Sequence, residues 1–555
     1  MWSCAATQRT LSILATVAGH GNQMIDERRE RIWTAGFVLL YVATFSPLLL
    51  IEGVFWDDWT LLGHMREDLV STFSQLGMRQ VGALHYQLVS TPEPVLLYRT
   101  LIGAAYLGTA LLLNGILRTR SEVTSGLRYA LVGVFTFFPI NSARVTLICL
   151  PYALCLLACY AGFWCVARAT RSERPWPLLF ASIPCFWAAA LTGSIRMFMA
   201  AVFVVLAVDA VESWRGIRAA VLRYRPYIVV ALLPPVLHVY YLRVHAPNGN
   251  FVGYNAVDPA MLAESYKLVE PTFVRSFLWP LLGSLESAVA VHDFVTMAGV
   301  CVVGAVLFLW RRLGCRSAGT MILSGALAWL LGSIPYNALG RMPAQDDWWS
   351  RDQLLLGLGA ALLIVGTGYA ATLARHTPRW LSGSAAVALI AYLAVSTHVA
   401  LMRYQADWFK QESLGLAFEA LPAVRDNTVF LITDETRALN VNQRYYRFYE
   451  YTGLLKRSFG DETRYAADYT AAEEQQIRSG TLFTPRHNHS YNLGGFRPTK
   501  DVVRLRIRYG SHGPELRDGG YWATAALLFD RFYRPTLYQA AIRNVVAVDV
   551  MDDGA

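Results

Sequence analysis

Trp56-Asp57-Asp58-Trp59 follows directly on residues 32–54, the first long apolar run of the chain. Two successive carboxylates at the end of such a run are costly to take out of water, so their place there calls for a reason. The run before them sets the fold class. A helix crossing ~30 Å of hydrocarbon needs about 20 residues, and ten further apolar runs follow, at roughly 95–117, 128–141, 145–167, 176–193, 196–212, 226–244, 294–310, 317–339, 353–373 and 381–402. The stretch 276–293 is apolar but interrupted by Pro280, Gly283, Glu286, His292 and Asp293, and reads as re-entrant or interfacial. The chain is thus expected to be an α-helical polytopic membrane protein with about eleven transmembrane helices.

Composition agrees. Of 555 residues, 54% are hydrophobic and 16% charged, against about 45–50% and ~25% in soluble domains. No cysteine follows Cys315, so the polar C-terminal region has no disulfide framework, and no residues have zinc-ligand spacing. The net charge of +9 does not point to nucleic acid. From Arg403 onward 20 Lys plus Arg face 19 Asp plus Glu, so the excess sits in the loops of the membrane portion.

Those arginines give an orientation, because positive charge stays on the cytoplasmic side. Arg28, Arg29 and Arg31 precede the first run. Arg118, Arg120 and Arg128 lie between the second and third. Arg168, Arg171 and Arg174, then Arg215, Arg218, Arg223 and Arg225, then Arg311, Arg312 and Arg316, and finally Arg375 and Arg379 mark every second connection. The alternation requires that 276–293 does not cross. Residues 1–31 are then a cytoplasmic segment, 32–402 the transmembrane domain, and 403–555 extracytoplasmic, as are Asp57 and Asp58 in outer loop 53–94.

Within that loop Leu61, Met65, Leu69, Phe73 and Leu76 recur at helical spacing with polar residues between them, the pattern of a helix lying on the membrane surface. The acids could cap this helix, and Trp56 and Trp59 could be interface anchors or walls of a substrate site. Beyond Tyr404, residues 405–425 read as helix. Residues 428–433, 502–508 and 544–550 read as strands, with helical material near 466–479 and 521–530. That makes a C-terminal α+β domain with room for its own core. Arg444-Tyr445-Tyr446-Arg447-Phe448-Tyr449 reads as packing rather than as a carbohydrate platform.

An acidic pair in the first outer loop, followed by a juxtamembrane helix, is the mark of the GT-C membrane glycosyltransferases, and over about residues 32–402 this chain resembles that superfamily. It looks closer to bacterial enzymes that modify cell-envelope glycans, such as O-antigen-modifying glucosyltransferases, than to oligosaccharyltransferase or protein O-mannosyltransferases. The resemblance implies transfer of a sugar from a polyprenyl-phosphate donor to a hydroxyl of a glycan or glycolipid acceptor, with inversion. Asp57 or Asp58 would act as general base. Arginine would hold the departing phosphate by bidentate hydrogen bonds; Arg144, Arg196, Arg341 and Arg351 are the candidates on the outer face. Asp346-Asp347-Trp348-Trp349 echoes the first motif; the two acidic pairs could hold a divalent metal between them, or Asp346 and Asp347 could pair with nearby arginines or touch the sugar. Two other functions fit a polytopic chain. An O-antigen-type polymerase or ligase would depend mainly on arginines and histidines, and a glycolipid transporter would need ionisable residues deep in several spans, of which there are few.

Overall fold

The computed structural model describes residues 28, 30–64, 69–120, 123–201, 217–245, 247–252, 259–282, 316–344, 347–374, 379–460, 463–468, 475, 479 and 502–551. Among them, five helices are long and apolar enough to cross a bilayer: α1 (Glu30–Leu50), α2 (Pro94–Arg118), α4 (Leu150–Ala169), α7 (Arg316–Asn337) and α9 (Arg379–Ala420). Three further apolar runs form shorter helices, α3 (Ser125–Phe137), α5 (Trp176–Ala189) and α8 (Gly357–Ala374). The run at 226–244 lies in α6 (Ile217–Val244), which carries Pro226, Pro234 and Pro235. A multi-pass helical protein therefore stands, but eleven spans are not all seen. The run at 294–310, most of 196–212 and 276–293, and Asp346 lie outside the described residues.

One helix ends early for a local reason. α3 stops before Pro139, which offers no N–H to a helix. Asn141 then takes φ 55°, a left-handed value that asparagine tolerates, and two short 3-10 turns, Ser142–Val145 and Leu147–Cys149, lead into α4. At the opposite end of the helices, Glu30 gathers α1, α2 and α3. Its carboxylate accepts from Asn114 Nδ2 (3.1 Å), Tyr129 Oη (2.6 Å) and Arg128 Nη2 (2.5 Å).

The C-terminal portion grows from α9, whose 42 residues reach about 63 Å at ~1.5 Å per residue. This one rod carries both the apolar run 381–402 and the polar residues Asp407, Lys410 and Gln411. Strands β1 (Val429–Asp434), β2 (Tyr465–Asp468), β3 (Val503–Tyr509) and β4 (Val546–Met551) form one sheet in the order β2-β1-β3-β4. β1 is parallel to both neighbours, and β3–β4 is antiparallel. Between β1 and β2 runs α10 (Phe448–Phe459), a parallel crossover inside what the sequence suggested was a plain α+β domain. Central β1 buries four successive apolar residues, as a strand covered on both faces does. The sequence placed helix across 466–468. Tyr465–Asp468 instead pair with Val429–Ile432, and Ala466-Ala467 carries no strand preference that could have announced it.

One hydrophobic core joins this domain to the loop that follows α1. Phe55, Trp56, Trp59, Leu61, Leu69 and Phe73 pack in the same cluster as Phe409, Phe430, Tyr449 and Leu505. The apolar stripe after Trp59 thus faces protein, whereas the sequence suggested a helix lying on lipid. Trp59 packs directly against Gly453, where a Cβ would come within 2.4 Å of the indole. Gly453→Ala should therefore cost about 1–3 kcal/mol, seen as a lowered melting temperature of the purified protein, whereas Gly460→Ala, with no atom within 4 Å, should be penalised only for its left-handed backbone.

Candidate functional site

Trp56 shapes the acidic turn. Its φ of 49° lies in the left-handed region, uncommon for a bulky residue and worth roughly 1–3 kcal/mol of strain. The surroundings hold it there. Its N–H donates to Glu450 Oε2 (3.2 Å), and its ring packs against Trp348 (5.3 Å between centroids) and Tyr404 (5.9 Å). The Arg444 guanidinium lies 4.7 Å from its centroid. Arg444 in turn donates Nη1 to both oxygens of Glu450 (2.7 and 2.8 Å) and stands 3.5 Å from Asp407. Gln411 clamps Val54, two residues before Trp56, from both sides, accepting from Val54 N–H (3.1 Å) and donating to Val54 O (2.9 Å).

The two acids part company at this turn. Asp58 is fully buried; its Oδ2 accepts from Leu147 N–H (2.9 Å) and its Oδ1 from Ile148 N–H (3.0 Å). Burial pushes its carboxyl up to about 7, while those two bonds and nearby Arg99 favour the charge. Arg99 is itself spent on backbone, donating to Gly53 O (2.6 Å) and Val145 O (3.2 Å). Asp58 therefore stitches the first loop to the 3-10 turns at 142–149. Asp57 is half-buried; among the described residues its side chain accepts one hydrogen bond, from Tyr449 Oη (3.1 Å) to Oδ1, and Oδ2 accepts none.

A third loop closes on the same turn. Ser350 Oγ accepts from Ala143 N–H (2.8 Å) and from the Ser142 hydroxyl (2.9 Å), and Gln353 Oε1 accepts from Asn141 N–H (2.9 Å). Arg351 is thereby brought over Trp348 (4.3 Å) and Trp349 (5.9 Å). It is close enough to Cys149 to act on it electrostatically, as Asp57 and Asp58 also do. The two Trp/Asp segments of the sequence thus meet through Trp56 and Trp348. Asp352, beside Arg351 (3.7 Å), is buried with Oδ2 unpaired among the described residues. Burial pushes it up to about 6, against the pull of Arg351 and Arg341.

The remaining candidates separate. Arg144 is buried, its guanidinium donating to Ile140 O (2.6 Å) and Asn141 O (3.1 Å) between the rings of Phe45 and Tyr106; it braces its own turn. Arg196, in the short helix Gly193–Phe198, acts on His238, and no contact among the described residues links it to the acids. Arg341 acts electrostatically on Asp352. Asp347 opens the 3-10 helix Asp347–Gln353, but its side chain, like Asp346, lies outside the described residues. Among those residues no group of three or more His, Cys, Asp or Glu gathers to hold a metal. Sequence reasoning missed Glu450, Arg444, Tyr449 and Asp407, for nothing in a chain marks a contact across 392 positions. Asp352 it passed over beside Arg351. Arg99 carried a signal, an arginine within an apolar run.

Two outcomes follow. Asp58→Asn sets an amide NH2 against a backbone N–H and should cost about 2 kcal/mol, whereas Asp57→Asn should leave thermal stability nearly unchanged; melting both purified variants separates them. For Asp352 the folded carboxyl holds its proton to about pH 6 against 3.8 ordinarily. Its contribution is therefore full below about pH 4 and is lost as pH rises through 6, a span of about 3 kcal/mol. Asp352→Asn should remove that loss, so its melting temperature should gain on that of the unsubstituted protein between pH 4 and 7.

Set beside protein-family models, curated proteins and solved structures, the chain matches none of them.

Proposed function

We propose that this protein is a membrane glycosyltransferase that moves a sugar from a polyprenyl-phosphate donor to a hydroxyl of a cell-envelope glycan, as its GT-C-like motif implies. It works at the outer face of the cytoplasmic membrane, with its N-terminus cytoplasmic and residues 403–555 outside. The observation that carries this reading is the unequal treatment of the two acids. One is consumed by backbone donors; the side chain of the other is half-buried and accepts a single hydrogen bond among the described residues, and both it and the stacked Arg351 act electrostatically on Cys149.

Asp57 is the general base. It takes the proton of the acceptor hydroxyl as that oxygen bonds to the anomeric carbon. The bond from that carbon to the phosphate oxygen breaks, and the polyprenyl phosphate leaves with the electron pair. A single displacement inverts the configuration. Arg351, spread over Trp348 and Trp349, offers the leaving phosphate a planar fork of donors. Asp58 holds the turn, and Tyr449 aims the base.

The test is transfer from a panel of polyprenyl-phosphate sugars by the purified chain. Asp57→Asn should lower the rate by about a hundredfold or more with melting unchanged, and Arg351→Ala should lower it too. Transfer at the original rate by folded Asp57→Asn would remove the base and, with it, this mechanism.

A further inference from the structure

At the end of the helices away from the acidic turn lies a cleft of about 900 Å³, lined by Arg31, Thr34, Ala35, Val38 and Leu39 of α1 and by Arg118 of α2, with Glu30 at its side. Its chemistry is divided. Glu30 is already satisfied, accepting from Asn114, Tyr129 and Arg128. Arg31 and Arg118 are exposed and have no hydrogen bond or ion pair among the described residues. From Arg31 the lining runs along α1 to Leu39, about 12 Å at ~1.5 Å per residue, and becomes apolar. Leu39 is 70% exposed and Val42, a turn further on, 53%, so this flank is open to acyl chains in a bilayer.

We infer that this cleft is a binding site for one acidic phospholipid, its phosphate held between Arg31 and Arg118 and an acyl chain laid along Ala35, Val38 and Leu39. Charge complementarity selects this occupant. Two exposed guanidiniums with no hydrogen bond or ion pair among the described residues, Arg118 acting on Glu30 only electrostatically, offer donors to a phosphate, and a zwitterionic headgroup would bring its own cation into the same space. The site needs only that α1 and α2 stand in a bilayer, so it is independent of the proposed transfer reaction.

Native mass spectrometry of the full chain, released from nanodiscs of equal phosphatidylglycerol and phosphatidylcholine, tests it. The unsubstituted protein should retain phosphatidylglycerol in preference. The double variant R31Q/R118Q should lose that preference by about five-fold per arginine, while R171Q/R174Q, which removes equal charge from another exposed loop, should keep it. Unchanged preference in the first variant, or an equal loss in the second, would overturn the site in favour of general surface charge. V38W, which fills the apolar flank without altering charge, should lower phosphatidylglycerol retention. Retention unchanged by V38W would show that lipid sits elsewhere.

Discussion

The carboxylate of Glu450 ties the acidic turn to the C-terminal domain. It accepts from the Arg444 guanidinium, from the Arg447 N–H that opens α10, and from the Trp56 N–H across the interface. Buried charge is tolerable when paired and hydrogen-bonded; both oxygens of Glu450 are so occupied by bringing two distant segments together, while Arg444 Nε and Nη2 have no hydrogen-bond partner among the described residues. Asp407 supports the same cluster, accepting from Tyr446 Oη and from Val441 N–H (2.9 Å) and standing near Arg444. Lys410, one helical turn along α9 from Asp407, ties it to the sheet through Asp434 (2.5 Å) and Asn440 (2.7 Å). Leaving any one member unpaired would cost several kcal/mol, on the order of 3–5. The sheet domain is therefore part of the scaffold of the acidic turn rather than an appendage.

From that constraint the geometry of the acids follows. A tryptophan held at positive φ turns the chain between two neighbouring carboxylates, so one points into protein and the other toward its rim. Strain of this kind persists where surroundings over-determine it, and such places are often functional. The neighbouring turn is clamped twice, by Asp58 on one side and by Ser350 and Gln353 on the other. Arg351 therefore sits on a rigid support. The proposed base and the proposed phosphate-binding cation stand on such supports, and transfer chemistry demands placement of that kind.

Much of the frame was legible in the chain. Helices α1, α2, α4 and α7 stand close to where their apolar runs predict them, because a membrane-spanning segment must satisfy its backbone within itself and so writes its length into local composition. Strands β1, β3 and β4 announced themselves by apolar runs or alternation. β2 did not, since Ala466-Ala467 becomes strand only by pairing with β1. The stripe Leu61, Leu69, Phe73 was amphipathic as expected, but amphipathicity does not say whether lipid or protein covers the apolar side, and here protein does.

By itself the sequence determined a polytopic helical protein with a mixed C-terminal domain, and it singled out Trp56-Asp57-Asp58-Trp59, Trp348 and Arg351 as residues of unusual placement. Those are local properties, carried by composition and spacing. Tertiary structure alone decided that Asp58 is a structural clamp and Asp57 the open acid, that Arg144 braces its own turn, and that Glu450, Arg444 and Tyr449 belong beside them. Identical side chains at adjacent positions differ only through what surrounds them. The donors that made the difference come from Leu147, Ile148 and Tyr449, residues whose nearness to Asp57 and Asp58 exists only once the chain has folded.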